Sequence, residues 1–196
     1  MLLELRQLPN AISALRVLLV APIAWCLWHH ELEATLALMM LAGVSDLLDG
    51  FLARRFGWQS RLGAVLDPVG DKLLLVTLFV MLALMHEVPV WLVATVLARE
   101  LVLVSGAVVY RVWLGPFEIR PSPVSKLNTL IEALYVLAVI AHAAFGAPPP
   151  PAIMALGALA FGTVVVSGID YVLRYSRRAL ETARAPLPSA SGAKLR

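Results

Sequence analysis

Charge is scarce in this chain. Asp, Glu, Lys and Arg make up 15% of its 196 residues, against about a quarter in an ordinary soluble domain. Cysteine is scarcer still: Cys26 stands alone, so no intrachain disulfide framework is possible, and it reads as a small apolar helix residue. The apolar runs show no sustained two-residue alternation, which argues against a transmembrane barrel. There is also no internal repeat of the kind that many transporters carry. What fills the chain instead is apolar sequence: 60% of residues are hydrophobic and the mean hydropathy is +0.83. Several long runs follow one another, which predicts an all-α, polytopic membrane protein.

Six stretches are long enough to cross a bilayer as helices of about 20 residues. Their approximate limits are 9–29, 33–56, 63–85, 89–112, 124–145 and 152–175. The breaks between them are polar or turn-forming, from His29-His30-Glu31 to the run Pro148–Pro151. Pro9-Asn10 reads as a helix start. Met1–Leu8 before it reads as a short amphipathic segment on the membrane surface. Met1–Arg6 lacks the basic region of a signal peptide, so the first run is expected to be a retained span. Residues 1–178 are expected to form the transmembrane domain. Residues 179–196, with Pro186, Pro188, Ser189, Ser191 and Gly192, are expected to form a disordered cytoplasmic tail.

The loops at 29–32, 86–88 and 146–151 contain no Lys or Arg. Basic residues fall on the other side: Arg6, the Arg54–Arg61 region, Arg111, Arg120, and the group from Arg174 onward. The positive-inside rule then puts both termini on the cytoplasmic side of the inner (cytoplasmic) membrane. The four histidines fall near the opposite face and read as interfacial residues.

This orientation gives meaning to four carboxylates inside apolar sequence. Asp46 and Asp49 are three residues apart near the end of the second span. Asp67 and Asp71 are four apart at the start of the third. On helices, each pair shares a face. The short connection is expected to make the two helices antiparallel neighbours, with the acids facing one another in the cytoplasmic half of the membrane. Charges at that depth are costly and mark function. Four carboxylates repel unless cations neutralise them. An all-oxygen cage suits Mg²⁺ or Mn²⁺, and two such ions about 4 Å apart can clamp a phosphoryl group. Gly50, Ala53 and Gly63 leave room for a ligand, and Arg54 can pair with a phosphate.

The residues read D-x2-D-G-x2-A-R-x8-G-x3-D-x3-D. Asp46, Asp49, Gly50, Ala53, Arg54, Gly63, Asp67 and Asp71 match every fixed position of the CDP-alcohol phosphatidyltransferase signature, and the chain resembles that family from about Pro9 to Arg178. The resemblance implies six transmembrane helices, a homodimer and two metal ions per active site. It implies that Asp46, Asp49 and Asp67 ligate metal, and that Asp71 helps hold the second metal and serves as general base. Asp49, Gly50, Ala53, Arg54 and Gly63 are implied to form the CDP pocket. The implied reaction is attack by an alcohol on CDP-diacylglycerol with release of CMP.

The remaining charges bear on the acceptor. Arg99 and Glu100 lie in the fourth span, Lys126 near the start of the fifth, and Arg111 and Arg120 at the surface. A pocket built from Arg99, Lys126, Arg111 and Arg120 would suit an acceptor that carries a phosphate. The alternative for Arg99 is a simple pairing with an acid such as Glu100, although adjacent residues point to different helix faces. The stretch Arg120–Thr129 resembles a segment of the cardiolipin synthases of this family, which implies phosphatidylglycerol as acceptor. Glu100 after Arg99 is instead similar to the phosphatidylglycerophosphate synthases, which implies glycerol-3-phosphate. The expected partners are therefore CDP-diacylglycerol, a phosphate-bearing alcohol and the bilayer, and no nucleic acid. An ion-coupled transporter is the rival reading, but it would hold its acids nearer the midplane.

Overall fold

The computed structural model describes residues 8–56, 63–114 and 122–184. Among these, six α-helices and no strands are present: α1 (Leu8–Trp28), α2 (Leu32–Phe56), α3 (Gly63–Leu84), α4 (Val90–Leu114), α5 (Pro123–Phe145) and α6 (Pro150–Arg184). The expected amphipathic segment before Leu8 lies outside the described residues.

The connections follow from local chemistry. His30 and His86 take positive φ in the α1–α2 and α3–α4 turns. At the start of α5, the Ser122 hydroxyl accepts a hydrogen bond from the Ser125 amide at 3.1 Å, and Pro123 follows the cap. Both choices satisfy the unpaired amides of a first helical turn. At its end Gly146 takes the left-handed conformation (φ 70°) and its N–H bonds to the His142 carbonyl. The fixed N-terminus of α5 matters below, because Ser125 and Lys126 sit in its first turn.

The helix α6 departs from expectation. It runs to Arg184, so residues 179–184, read above as part of a disordered tail, are helical. Ala179, Leu180, Glu181, Ala183 and Arg184 are strong helix formers, and the first helix breaker beyond them is Pro186. Residues 185–196 lie outside the described part.

The helix α1 packs against both α2 and α3, while α6 packs against both α5 and α4. These two groups meet where α2 and α3 touch α5, and where α3 touches α4. Ile23, Leu27, Leu78, Phe79, Leu92, Val136, Ile140 and Val164 are almost completely enclosed at the centre. The Phe79 and Tyr135 rings stack with centroids 6.2 Å apart. The outer surface is also apolar: Leu18, Leu101 and Met154 are 69, 70 and 78% exposed. An apolar exterior of this extent fits a lipid environment. Two helical stretches, Pro123–Phe145 and Pro150–Arg174, are long and apolar enough to cross a membrane. In α2 and α3 the signature carboxylates and their flanking cations interrupt the apolar run.

The contact between α4 and α6 depends on a missing side chain. A Cβ at Gly106 would lie 2.8 Å from the Tyr171 hydroxyl oxygen, which donates to the Leu103 carbonyl at 2.7 Å. Gly106→Ala is expected to cost about 1–3 kcal/mol by overpacking. The same change in a Tyr171→Phe background should cost less, because one of the two closest colliding atoms is gone and the ring, whose Cε1 would lie 2.9 Å from the added Cβ, is freed from its hydrogen bond and can shift. Thermal unfolding of the four proteins in detergent measures this, and strict additivity would contradict it.

Candidate active site

The signature residues fall on two helices. Asp46, Asp49, Gly50, Ala53 and Arg54 occupy the last turns of α2, and Gly63, Asp67 and Asp71 the first turns of α3. Of these, Asp46 is the one whose side chain is described. The side chains of the other seven lie outside the described part, as does that of Arg111. Arg120 lies outside the described residues altogether. Among the described residues no group of three metal-ligating side chains occurs.

The two acid-bearing helices do not take each other as their main packing partner, as the short connection had suggested. Each packs on α1. Close approach is possible because residue 70 is glycine: a Cβ there would meet Val17 of α1 at 3.3 Å. The tight contact fixes α1 against the α3 turn that carries Asp71. From α1, Arg16 reaches Asp46 with an ion pair of 2.6 Å. Arg16 is 2% exposed and Asp46 44%, so a buried guanidinium holds a carboxylate that opens onto space.

That space is a cavity of about 610 Å³, with Arg16, Asp46, Lys72, Arg99, Ser125 and Lys126 among its lining residues. Five helices contribute to it. Two of the four cations expected to bind an acceptor phosphate, Arg99 and Lys126, are thus brought together beside Asp46. Lys126 makes no ion pair among the described residues. Leu74, Leu75 and Leu78 line the same cavity, so its wall is partly apolar.

Arg99 is the junction of the network. It is 95% enclosed. One terminal nitrogen pairs with Glu100, and the other donates to the hydroxyls of Ser125 at 2.7 Å and Ser167 at 2.8 Å. The second oxygen of Glu100 accepts from Lys72. Arg99 thus takes the simple alternative, pairing with Glu100 although the two are adjacent on the helix. The long arginine side chain turns back along its own helix, which a shorter side chain could not do. One carboxylate therefore serves two cations, from α3 and α4, while Arg99 ties α4 to α5 and α6.

Sequence reasoning missed several members of this site. Arg16 and Lys72 are charges inside apolar sequence, but nothing in the sequence identifies their partners. Asn128 and Glu132 were also passed over: both are buried in α5, and the Asn128 amide donates to the Glu132 carboxylate at 2.8 Å. Their spacing of four residues within an apolar run was the signal that could have found them.

The sequence profile of the CDP-alcohol phosphatidyltransferase family matches residues 6–172. The chain belongs to this family. It is 28% identical over 190 residues to human (Homo sapiens) cardiolipin synthase (CMP-forming), covering 89% of this chain and 63% of that protein. It is 31% identical over 190 residues to the chloroplastic CDP-diacylglycerol–glycerol-3-phosphate 3-phosphatidyltransferase 1 of Oryza sativa subsp. japonica, covering 86% and 57%. With a probable phosphatidylglycerophosphate synthase of Mycobacterium tuberculosis it shares 29% identity over 185 residues, covering 89% and 84%. The chain thus spans less than two-thirds of the human and rice relatives.

The Arg16–Asp46 pair can be tested by a double-mutant cycle with Arg16→Met and Asp46→Asn, read by thermal unfolding in detergent. Removing the carboxylate alone leaves a buried cation without that partner. A coupling of about 1–3 kcal/mol is expected, and a value near zero would dismiss the pair as an incidental contact.

Proposed function

We propose that this protein transfers a phosphatidyl group from CDP-diacylglycerol to an alcohol, releasing CMP. The observation that carries the proposal is the complete signature on the last turns of α2 and the first turns of α3, with its first carboxylate, Asp46, opening into a cavity that Lys126 and Arg99 also line. An anionic acceptor and a metal-bound diphosphate would then meet in one space, with cations on one side and carboxylates on the other.

The donor set fits a hard divalent cation. Asp46, Asp49, Asp67 and Asp71 offer only oxygen ligands, and Asp46 is half exposed at the cavity wall. These four would hold Mg²⁺ or Mn²⁺, two ions per site, and the bound ions would neutralise charge on the phosphoryl group. The chain's own residues do the rest. Asp49, Gly50, Ala53, Arg54 and Gly63 receive the CDP moiety, with Arg54 pairing to a phosphate. Arg99 and Lys126 orient the acceptor through its own phosphate, with Arg111 and Arg120 as further contacts. Asp71 takes the proton from the acceptor hydroxyl as its oxygen forms a bond to the β-phosphorus. The bond to the bridging oxygen breaks, and CMP leaves.

Six spans, with both termini and the active site on the cytoplasmic side and the chain paired as a homodimer, complete the reading. The distribution of Lys and Arg supports the sidedness. Phosphatidylglycerol is the favoured acceptor, supported by the segment Arg120–Thr129 and by the resemblance to human cardiolipin synthase. Glycerol-3-phosphate is the second reading, favoured by the rice and mycobacterial relatives.

Purified protein in mixed micelles should release CMP from CDP-diacylglycerol only with a divalent ion and an acceptor. Chelation should abolish the release, and Mg²⁺ or Mn²⁺ should restore it. Asp67→Asn should lower kcat by roughly a hundredfold or more while the protein still folds, as judged by its melting temperature. Full activity in that variant would remove Asp67 from the site.

Separately, Lys126→Ala should raise the KM for the acceptor by about tenfold while the KM for CDP-diacylglycerol stays within about twofold. That magnitude matches one charge-assisted contact. A rise in the donor KM instead would reassign Lys126 to the CDP side.

A further inference from the structure

A second hollow lies between α4 and α6, on the other side of Arg99. It has a volume of about 410 Å³, and its lining includes Ala98, Val102, Val165, Gly168 and Val172. Arg99 is the one charged residue along it among the described residues, and Arg99 also lines the polar cavity. The two spaces thus share one wall. On the groove side that wall is the aliphatic stem: a Cβ at Gly168 would meet only Cγ of Arg99, at 3.9 Å. The Nε of Arg99 is buried without a hydrogen-bond partner among the described residues, although both terminal nitrogens are engaged. A buried donor of this kind is costly unless a ligand completes it.

We propose that this groove receives an acyl chain of the acceptor, whose phosphate lies across Arg99 against Lys126, so that the acceptor is a diacyl phospholipid and not a water-soluble glycerol phosphate. This rests on the phosphatidyl-transfer reading above. The chemistry of the two spaces matches the two ends of such a lipid. One space holds a guanidinium and an ammonium that has no ion pair among the described residues, both suited to a phosphodiester. The other is apolar apart from Thr95, whose hydroxyl donates to the Trp91 carbonyl, and has the guanidinium-bearing residue at its wall. Glycerol-3-phosphate has no part that would use the apolar space. The donor's chains are a poorer match, because the signature that receives its CDP moiety lies on α2 and α3, and neither helix lines the groove.

Two variants on α6, three residues apart, fill the groove at different points along it. Val165 is 38% exposed, so Val165→Phe adds a ring at the groove surface without opening the core. Gly168→Leu fills it beside the stem of Arg99. Displacing about two buried methylenes is enough for a roughly tenfold change in affinity. The assay is CMP release by the full chain in mixed micelles with Mg²⁺, offering long-chain phosphatidylglycerol, dioctanoyl-phosphatidylglycerol and glycerol-3-phosphate.

In both variants the KM for long-chain phosphatidylglycerol should rise about tenfold, and that for the dioctanoyl lipid less. The KM for CDP-diacylglycerol should move less than about twofold. A matching rise in the KM for CDP-diacylglycerol would hand the groove to the donor and overturn the proposal. Unchanged KM values in two folded variants would show that bulk lipid or another copy of the chain covers it. Use of glycerol-3-phosphate alone by the unmodified protein would overturn it while leaving phosphatidyl transfer intact.

A readout independent of turnover uses phosphatidylglycerol with a diazirine on its acyl chain. It should label α6 between residues 164 and 173 in the unmodified protein, with the label reduced by Val165→Phe. Labelling that is competed by CDP-diacylglycerol and not by phosphatidylglycerol would again overturn the assignment. No CMP release with any acceptor would sink the reading of the reaction, and failure of labelling would sink the groove.

Discussion

A charge inside an apolar helical protein costs several kcal/mol unless a partner sits beside it, and three of this chain's few charges are buried in that situation. Arg16, Arg99 and Glu132 are each at least 95% enclosed. The first two are held by carboxylates, and Glu132 accepts from Asn128. In lipid the hydrophobic effect does little to choose one helix pairing over another, because the surroundings are as apolar as the helices. Polar contacts therefore carry a large share of the specificity. Here they connect α1 to α2 through Arg16 and Asp46, and α3 to α4 through Lys72 and Glu100. Arg99 joins α4 to α5 and α6 through Ser125 and Ser167.

The same contacts define the cavity. Helices α2 and α3 lean on α1, and the space they enclose is closed on the far side by α4 and α5. Ion pairs at its wall hold cations and carboxylates at fixed places without filling the interior. Small residues do complementary work at the helix crossings. Gly70 lets α1 approach α3 beside Asp71, and at Gly157 an added Cβ would meet Tyr135 at 3.1 Å. Preorganised charge of this kind suits phosphoryl transfer, in which the protein's main task is positioning and charge stabilisation.

Much of this was readable in the chain. The six helices agree with the apolar runs to within a few residues, except at the end of α6, because long runs with clear breaks leave few alternatives. The missed segment, 179–184, was judged by the proline- and serine-rich composition beyond it, whereas its own residues favour helix. Asp46, Arg99 and Lys126 were identifiable because a charge in an apolar run is conspicuous. Asn128 and Glu132 were not noticed because the pair is short and lies in a helix that otherwise reads as plain span. Ser167 could not have been found, since a serine in an apolar helix usually bonds back to its own backbone.

The sequence alone determined the helices, the family signature and the positions of the charges, because helix period and apolar run length are local properties of the chain. The tertiary structure decided which charges meet. Arg16 could have paired with several acids, and the packing of α1 on α2 chose Asp46. Glu100 could have pointed away from Arg99, and the length of the arginine side chain brought them together. Whether Arg99 and Lys126 share a cavity depends on how α3 and α6, which both α4 and α5 touch, place those two helices across more than 20 intervening residues, and no local pattern in the chain encodes that placement.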